Sequence, residues 1–201
     1  MWRVPSEPGI FLPVRLQART KKLEGETVEL RRHDRANYGL YARWYGDPEI
    51  WHLTSWAPSP LSRSAVEKLF EDRELSPADD SFAIHPRGDD EPIGVISLMN
   101  ISDVNESAEL SIIVGHPDDR HQGYGTEAIT LLLGYAFDEL GLNRVSLSAF
   151  DFNGGAIAAY EKLGFVVEGR YRQAIRRKSR FHDAILMSIL EKEWHSGAPS
   201  S

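Results

Sequence analysis

Arg120-His121-Gln122-Gly123-Tyr124-Gly125-Thr126 is the stretch that decides how this chain folds. Before it, Ala108 to Val114 alternates in the manner of a strand. After it, Ala128, Ile129, Leu132, Leu133, Ala136, Phe137 and Leu140 recur at spacings that make one apolar helix face. The turn between them holds Gly123 and Gly125, which let the backbone bend sharply and approach a ligand with no Cβ in the way. The helix start behind them offers unpaired amides at the positive end of its dipole, which suits a phosphate or pyrophosphate. Arg120 adds a fixed charge with forked donors. Glycine spacing alone does not separate such a cradle from an ordinary turn before a helix. Two rival phosphate motifs fail in detail. Gly125-Thr126-Glu127 lacks the lysine of a nucleotide triphosphatase loop, and a dinucleotide fingerprint needs a third glycine in an early strand–helix unit.

Working downstream, Gly141 ends the helix, and Val145, Leu147 and Ala149 alternate as a strand. Asn153 opens a second helix with Ala156, Ile157, Tyr160 and Leu163 on one face, and Gly164 closes it. Asn153 and Tyr160 stand two turns apart, on one side. Taken singly, Asn153 reads as a helix cap and Tyr160 as a core aromatic. Phe165–Gly169 and Ala184–Leu190 read as closing strands. Upstream, Thr27–Arg31 forms a short strand, and Asp34 caps a helix over 35–46 that Asp47-Pro48 stops. A further helix runs from Ser62 or Ser64 to Leu75. Strands follow over 81–85 and 93–99, with a polar hairpin connection over 102–107. Strands first, then strand–helix–strand–helix–strand, predict an α/β chain with one central sheet.

The two segments, in this order and spacing, resemble the GCN5-related N-acetyltransferase (GNAT) superfamily. The first is similar to its acetyl-CoA pyrophosphate loop, Arg/Gln-x-x-Gly-x-Gly/Ala. The second is similar to its Asn-x-x-Ala-x-x-x-Tyr-x-x-x-Gly-Phe segment, here Asn153, Ala156, Tyr160, Gly164 and Phe165. Arg180-Phe181-His182-Asp183-Ala184, running into Met187 and Leu190, resembles the end of the ribosomal-protein and spermidine N-acetyltransferase branches. The likeness covers roughly residues 26 to 194. His121 departs from the glycine often found there, and Gly154-Gly155 makes a loose helix start.

The resemblance implies the acyl-CoA N-acyltransferase fold, a mixed, mostly antiparallel sheet flanked by helices. It implies acetyl-CoA as co-substrate, no metal, and direct transfer of acetyl to a primary amine. Such an amine, with a pKa of about 10.4, must lose a proton before it attacks. By resemblance, Ile112, Ile113 and Val114 offer main-chain groups to the pantetheine arm. Arg120, His121, Gln122, Gly123, Tyr124, Gly125 and Thr126 hold the pyrophosphate, and Asn153 and Ala156 complete the binding residues. Tyr160 takes the place of the family's general acid toward the leaving thiolate. Glu109 is the first candidate for the base, directly or through a water, with His85, His116 and Asp183 as rivals. A glutamate at a strand end is also commonly a plain surface charge. The acceptor is left open between a polyamine, a small amine such as an antibiotic, and a protein N-terminus. A non-catalytic acyl-CoA-binding sensor or scaffold is the alternative of a different class.

Two further stretches bear on the acceptor. Tyr38 to Trp56 carries Trp44, Tyr45, Trp51 and Trp56 with Asp47 and Glu49, which suits a cation, although these aromatics also serve to pack the first helices. Arg170, Arg172, Arg176, Arg177, Lys178 and Arg180 form a basic run. It is open to a ribosome, RNA or the CoA ribose phosphate, or to being the solvated edge of a hairpin.

Composition sets the outer bounds. The chain has 201 residues, 41% hydrophobic and 10% aromatic, enough for one packed domain. We place that domain over 25–195, with an N-terminal extension over 1–24 and a flexible tail over 196–201. The net charge of −7 repels nucleic acid and anionic lipid on average, and attracts cations. There are no cysteines, hence no disulfide, thiolate metal site, cysteine nucleophile or thiol acyl carrier. No apolar run is long enough for a membrane helix, and the start lacks a signal peptide's apolar stretch. These features point to the cytoplasm. A homodimer is left open.

Overall fold

The sheet that organises the protein has eight strands in the order β1-β2-β3-β4-β5-β6-β8-β7. A computed structural model describes residues 22–197. Most of the proposed extension and the end of the proposed tail lie outside the described residues, while 22–24 pair as an edge strand. The strands are β1 (Lys22–Glu24), β2 (Val28–Arg31), β3 (Asp80–Pro86), β4 (Gly94–Ser102), β5 (Ser107–Val114), β6 (Arg144–Phe150), β7 (Val166–Arg177) and β8 (Arg180–Leu190). All neighbours are antiparallel except β5 and β6, so the sheet is mixed and mostly antiparallel, as expected.

Helices cover both faces. On one side lie α1 (Tyr38–Gly46), α2 (Pro48–Thr54) and α3 (Arg63–Leu75). Tyr38, Tyr41, Trp44, Val66 and Phe70 pack there on Ala83, Val95 and Ile113. On the other side α4 (Tyr124–Gly134) lays Ala128, Ile129, Leu132 and Leu133 on Phe82, Ile84, Ile96 and Leu98. The strand residues on the two faces alternate, which is the period of a sheet buried on both sides. α5 (Gly154–Lys162) and α6 (Glu191–Ser196) complete the chain.

Three elements differ from the sequence reading. Asp47-Pro48 does end α1, but it also starts α2: the Asp47 carboxylate accepts from the Glu49 and Ile50 amides, with Pro48 in the first turn. α4 ends in a π turn over Tyr135–Glu139. That wider turn lets Tyr135, off the expected apolar stripe, point inward and donate to Asp80 Oδ2 at 2.8 Å. The final strands are far longer than their apolar cores, because the basic run continues them as a hairpin.

Candidate active site

β5 pairs with β4 from Glu109 to Val114 and again at Ser107, but with β6 only at Ser107↔Arg144, Ala108↔Val145 and Glu109↔Ser146. β6 stays with β8 from Arg144 to Phe150. Past Glu109 the two strands therefore part, and alternate amides and carbonyls of β5 face a gap instead of a strand. The gap opens into a cleft of about 920 Å³. Leu110 to Ile113 line one side, Leu147 to Phe150 the other, and Asn153, Ala156 and Tyr160 of α5 reach in from the end. Such a volume suits a small-molecule site.

Val114 continues the strand on to the turn before α4. Gly123 is the N-cap residue of α4, with φ +88°, and has no side chain to cap the helix. The first-turn amides of α4 are thus left for a ligand or water. His121 also has a positive φ, +62°, the conformation a glycine would hold without strain. The start of α4 is fixed from behind. Glu127 accepts from the amides of Glu26 and Thr27 and from the Thr27 hydroxyl. Burial pushes the Glu127 carboxyl up, but those hydrogen bonds outweigh it and hold the pKa below the ordinary value. Gln122 Nε2 reaches the Asp118 carbonyl at 3.4 Å. Arg120 does not stand free at the turn: its guanidinium bonds Glu49 Oε1 of α2 at 2.8 Å.

Tyr160 packs on Phe165, ring centroids 5.8 Å apart, against the α4-side core. Burial pushes its phenol up to about 12. Its hydroxyl makes no hydrogen bond to the described residues. Asn153 does not cap α5. Its amide instead donates to the Leu53 carbonyl of α2 at 3.3 Å. Glu109 is exposed, lines the cleft where the strands part, and accepts from Asn100 Nδ2 at 3.3 Å. It shares the side of β5 with Ser111 and Ile113, toward α1 and α3.

The rival bases are elsewhere. His85 is buried within β3, and burial lowers its pKa. His116 caps the turn after β5 by accepting from the Asp118 amide. Asp183 accepts from the Gln173 amide at 2.8 Å and pairs with Arg170. None of the three lines the cleft.

The aromatic segment divides. Tyr38, Tyr41 and Trp44 are core residues, whereas Tyr45, Trp51 and Trp56 line the cleft. Sequence reasoning missed the charged pair beneath them: Arg144 holds Glu168 with two hydrogen bonds, 2.5 and 2.6 Å, and Ser188 donates to the same carboxylate. The Arg144 guanidinium pulls the Glu168 carboxyl down to about 2. Arg73 also lines the cleft. Arg144 opens β6 and Glu168 is the third residue of β7, each next to apolar residues, and neither carries a motif. Among the described residues, no group of three or more His, Cys, Asp or Glu is placed to hold a metal, and no helix is long and apolar enough to cross a membrane.

Comparison with known proteins agrees with this geometry. Residues 27–166 match the acetyltransferase (GNAT) domain. The spermidine N(1)-acetyltransferase of Escherichia coli K12 is 33% identical over 106 residues, which cover 53% of this chain and 56% of that protein, so the chain spans about half the length of that relative. An N-acetyltransferase of Bacillus licheniformis named p20 is 26% identical over 84% of this chain and 96% of its own. Among solved structures, the spermidine N-acetyltransferase of Vibrio cholerae in complex with CoA and spermine superposes with a TM-score of 0.77 at 25% identity, covering 84% of this chain and 98% of that one. With its sheet, its strand gap and its domain match in place, the chain belongs to the GNAT family of acetyl-CoA-dependent N-acetyltransferases.

Proposed function

We propose that this protein moves acetyl from acetyl-CoA to a primary amine held on the Glu109 side of the β5–β6 gap. The observation that carries the proposal is the end of strand pairing at Glu109↔Ser146, which leaves the β5 edge exposed inside a cleft that also holds Tyr160. Ile112 and Ile113 present main-chain groups to the pantetheine arm, with Val114 leading to the turn. The amides from Tyr124 to Thr126 receive the pyrophosphate, with Gly123 and His121 shaping the turn. Gln122 stays tied to that turn, and Asn153 and Ala156 bound the cleft at α5. Arg120 serves through Glu49, fixing α2 against the turn.

Acetyl-CoA supplies the acyl carbon and a thiolate leaving group. Glu109 accepts a proton from the ammonium, directly or through a water, so that the nitrogen lone pair forms the new C–N bond as the C–S bond breaks, and the nitrogen then gives up its second proton to the departing thiolate or to water. Tyr160 Oη–H donates to the departing sulfur. A thiol has a pKa near 8.5 and this phenol about 12, so Tyr160 stabilises the thiolate by hydrogen bonding and keeps its proton. A β5 amide polarises the thioester oxygen.

Acetyl-CoA with a panel of amines, followed by a thiol reagent, tests the reading, since a chain without cysteine gives no background. CoA release with any amine, abolished or slowed by Tyr160→Phe, is expected. Acetyl-CoA binding with no release for any amine would establish the non-catalytic alternative.

A further inference from the structure

The hairpin of β7 and β8 runs beside the cleft, and its charge opposes that of the whole chain. Residues 166–190 hold six cations against two carboxylates, in a protein of net charge −7. Both carboxylates are already engaged, Glu168 by Arg144 and Asp183 by Arg170. Arg172, Lys178 and Arg180 are exposed and make no ion pair among the described residues, although Arg172 lies near enough to Asp183 to help lower its pKa. The hairpin is fixed to the cleft wall. Arg177 is buried, its guanidinium 4.0 Å from the Trp51 ring centroid, and it donates to the Ser55 carbonyl. Tyr171 of β7 lines the cleft while 57% exposed, and Trp56, which lines it too, is 51% exposed. Phe181 is exposed as well, with Arg176 over its ring. Exposed aromatic and cationic side chains thus share this hairpin.

Inside, the charges cancel. Glu109, Glu168, Arg73 and Arg144 line the cleft, and Glu168 is spent on Arg144. One carboxylate, Glu109, is left for a cation. A polyamine brings several ammoniums, and among the described residues the cleft lining offers no carboxylate besides Glu109 that is not already paired. We infer that the acceptor is an acidic polypeptide segment, its amine entering beside Glu109 and its carboxylates lying on the basic β7–β8 hairpin. The inference rests on the acetyltransferase reading and names the substrate class for that site. The exposed aromatics add contact area of the kind peptide-binding surfaces use.

The test compares spermidine, a peptide of sequence Ser-Glu-Asp-Glu-Ala-Tyr and its Ser-Lys-Gln-Lys-Ala-Tyr counterpart as acceptors for the full chain. Thiol release reads transfer, and fluorescence anisotropy of dye-labelled peptides reads binding. The acidic peptide is expected to have the highest kcat/KM, with its advantage falling as salt is raised. The triple variant Arg172→Gln, Lys178→Gln, Arg180→Gln should raise the KM for the acidic peptide by about tenfold at low salt, with kcat and the acetyl-CoA KM unchanged. Binding of the acidic peptide that the triple variant weakens, without transfer to any amine, would support the surface while ending the acetyltransferase reading. Transfer to spermidine in preference to the acidic peptide would leave that reading standing and overturn this inference. So would an unchanged KM in the triple variant, a raised acetyl-CoA KM, or displacement of the peptide by an RNA oligonucleotide of equal charge.

Discussion

The Arg177 guanidinium lies 4.0 Å from the ring centroid of Trp51, which lines the cleft, one residue coming from the end of β7 and the other from α2. Burial lowers the Arg177 pKa, so the aromatic face and the Ser55 carbonyl must compensate for lost water. Removing the cation frees the α2 wall. Arg177→Met should raise the acceptor KM about fivefold to tenfold, in line with a cation–π contact of about 1–2 kcal/mol. Arg177→Lys should lie between, since it keeps charge but loses the fork. The acetyl-CoA KM should not move, and steady-state kinetics in both substrates checks this.

Tyr160→Phe should lower kcat about 100-fold, the lower end for a lost hydrogen-bond donor to developing negative charge. Acetyl-CoA affinity should stay within about twofold by calorimetry, because the ring still packs on Phe165. Folding stability should hold or rise slightly, since the lost hydroxyl bonds nothing among the described residues. With the folded pKa above the ordinary 10, stability linked to Tyr160 is whole below pH 10 and is lost as pH rises toward 12.

The turn before α4 offers a matched pair. Gly123 has φ +88° and open space where a Cβ would stand, so Gly123→Ala costs conformational strain, not collision. About 1 kcal/mol of stability and a several-fold weaker acetyl-CoA affinity are expected, seen by urea titration and calorimetry. His121→Gly relieves a left-handed non-glycine and should gain up to about 0.5–1 kcal/mol. A loss of stability in His121→Gly would show that the imidazole makes compensating contacts.

His33 governs part of the acid response. Burial first, then the charges of Arg73 and Arg32, push its pKa down to about 3, while its ring nitrogens meet Ser81 and Tyr41 hydroxyls. The unfolded chain takes up this proton near pH 6.5 and the folded one only near pH 3. The linked stability is therefore present above pH 6.5 and is lost as pH falls through that window, by an amount on the order of a few kcal/mol. Urea unfolding at pH 7, 6, 5 and 4 should show a steeper decline for the wild-type chain than for His33→Gln.

Much of this architecture was legible because it is written in short range. The change of period around Gly123 and Gly125, the apolar face of α4 and the alternation in β5 and β6 all follow from neighbours a few residues apart. The positions of Tyr160, Asn153 and Glu109 around one gap follow from those elements. What escaped notice depends on partners far along the chain. Nothing local in Arg120 tells that Glu49 will claim it, nor in Asn153 that Leu53 will. Arg177 sits within a run of cations and is the one that goes inside. Trp44 and Trp51 read alike, yet one enters the core against Gly115 and the other walls the cleft, a difference set by the helix that begins at Pro48.

Between β5 and β6 only three residue pairs join two otherwise well-laced halves. A molecule lodged there and bonded to both edges would act as a splice, sharing the mechanical burden that an uninterrupted ladder carries elsewhere. The reactant would then be, for the duration of each turnover, a piece of the scaffold that holds it.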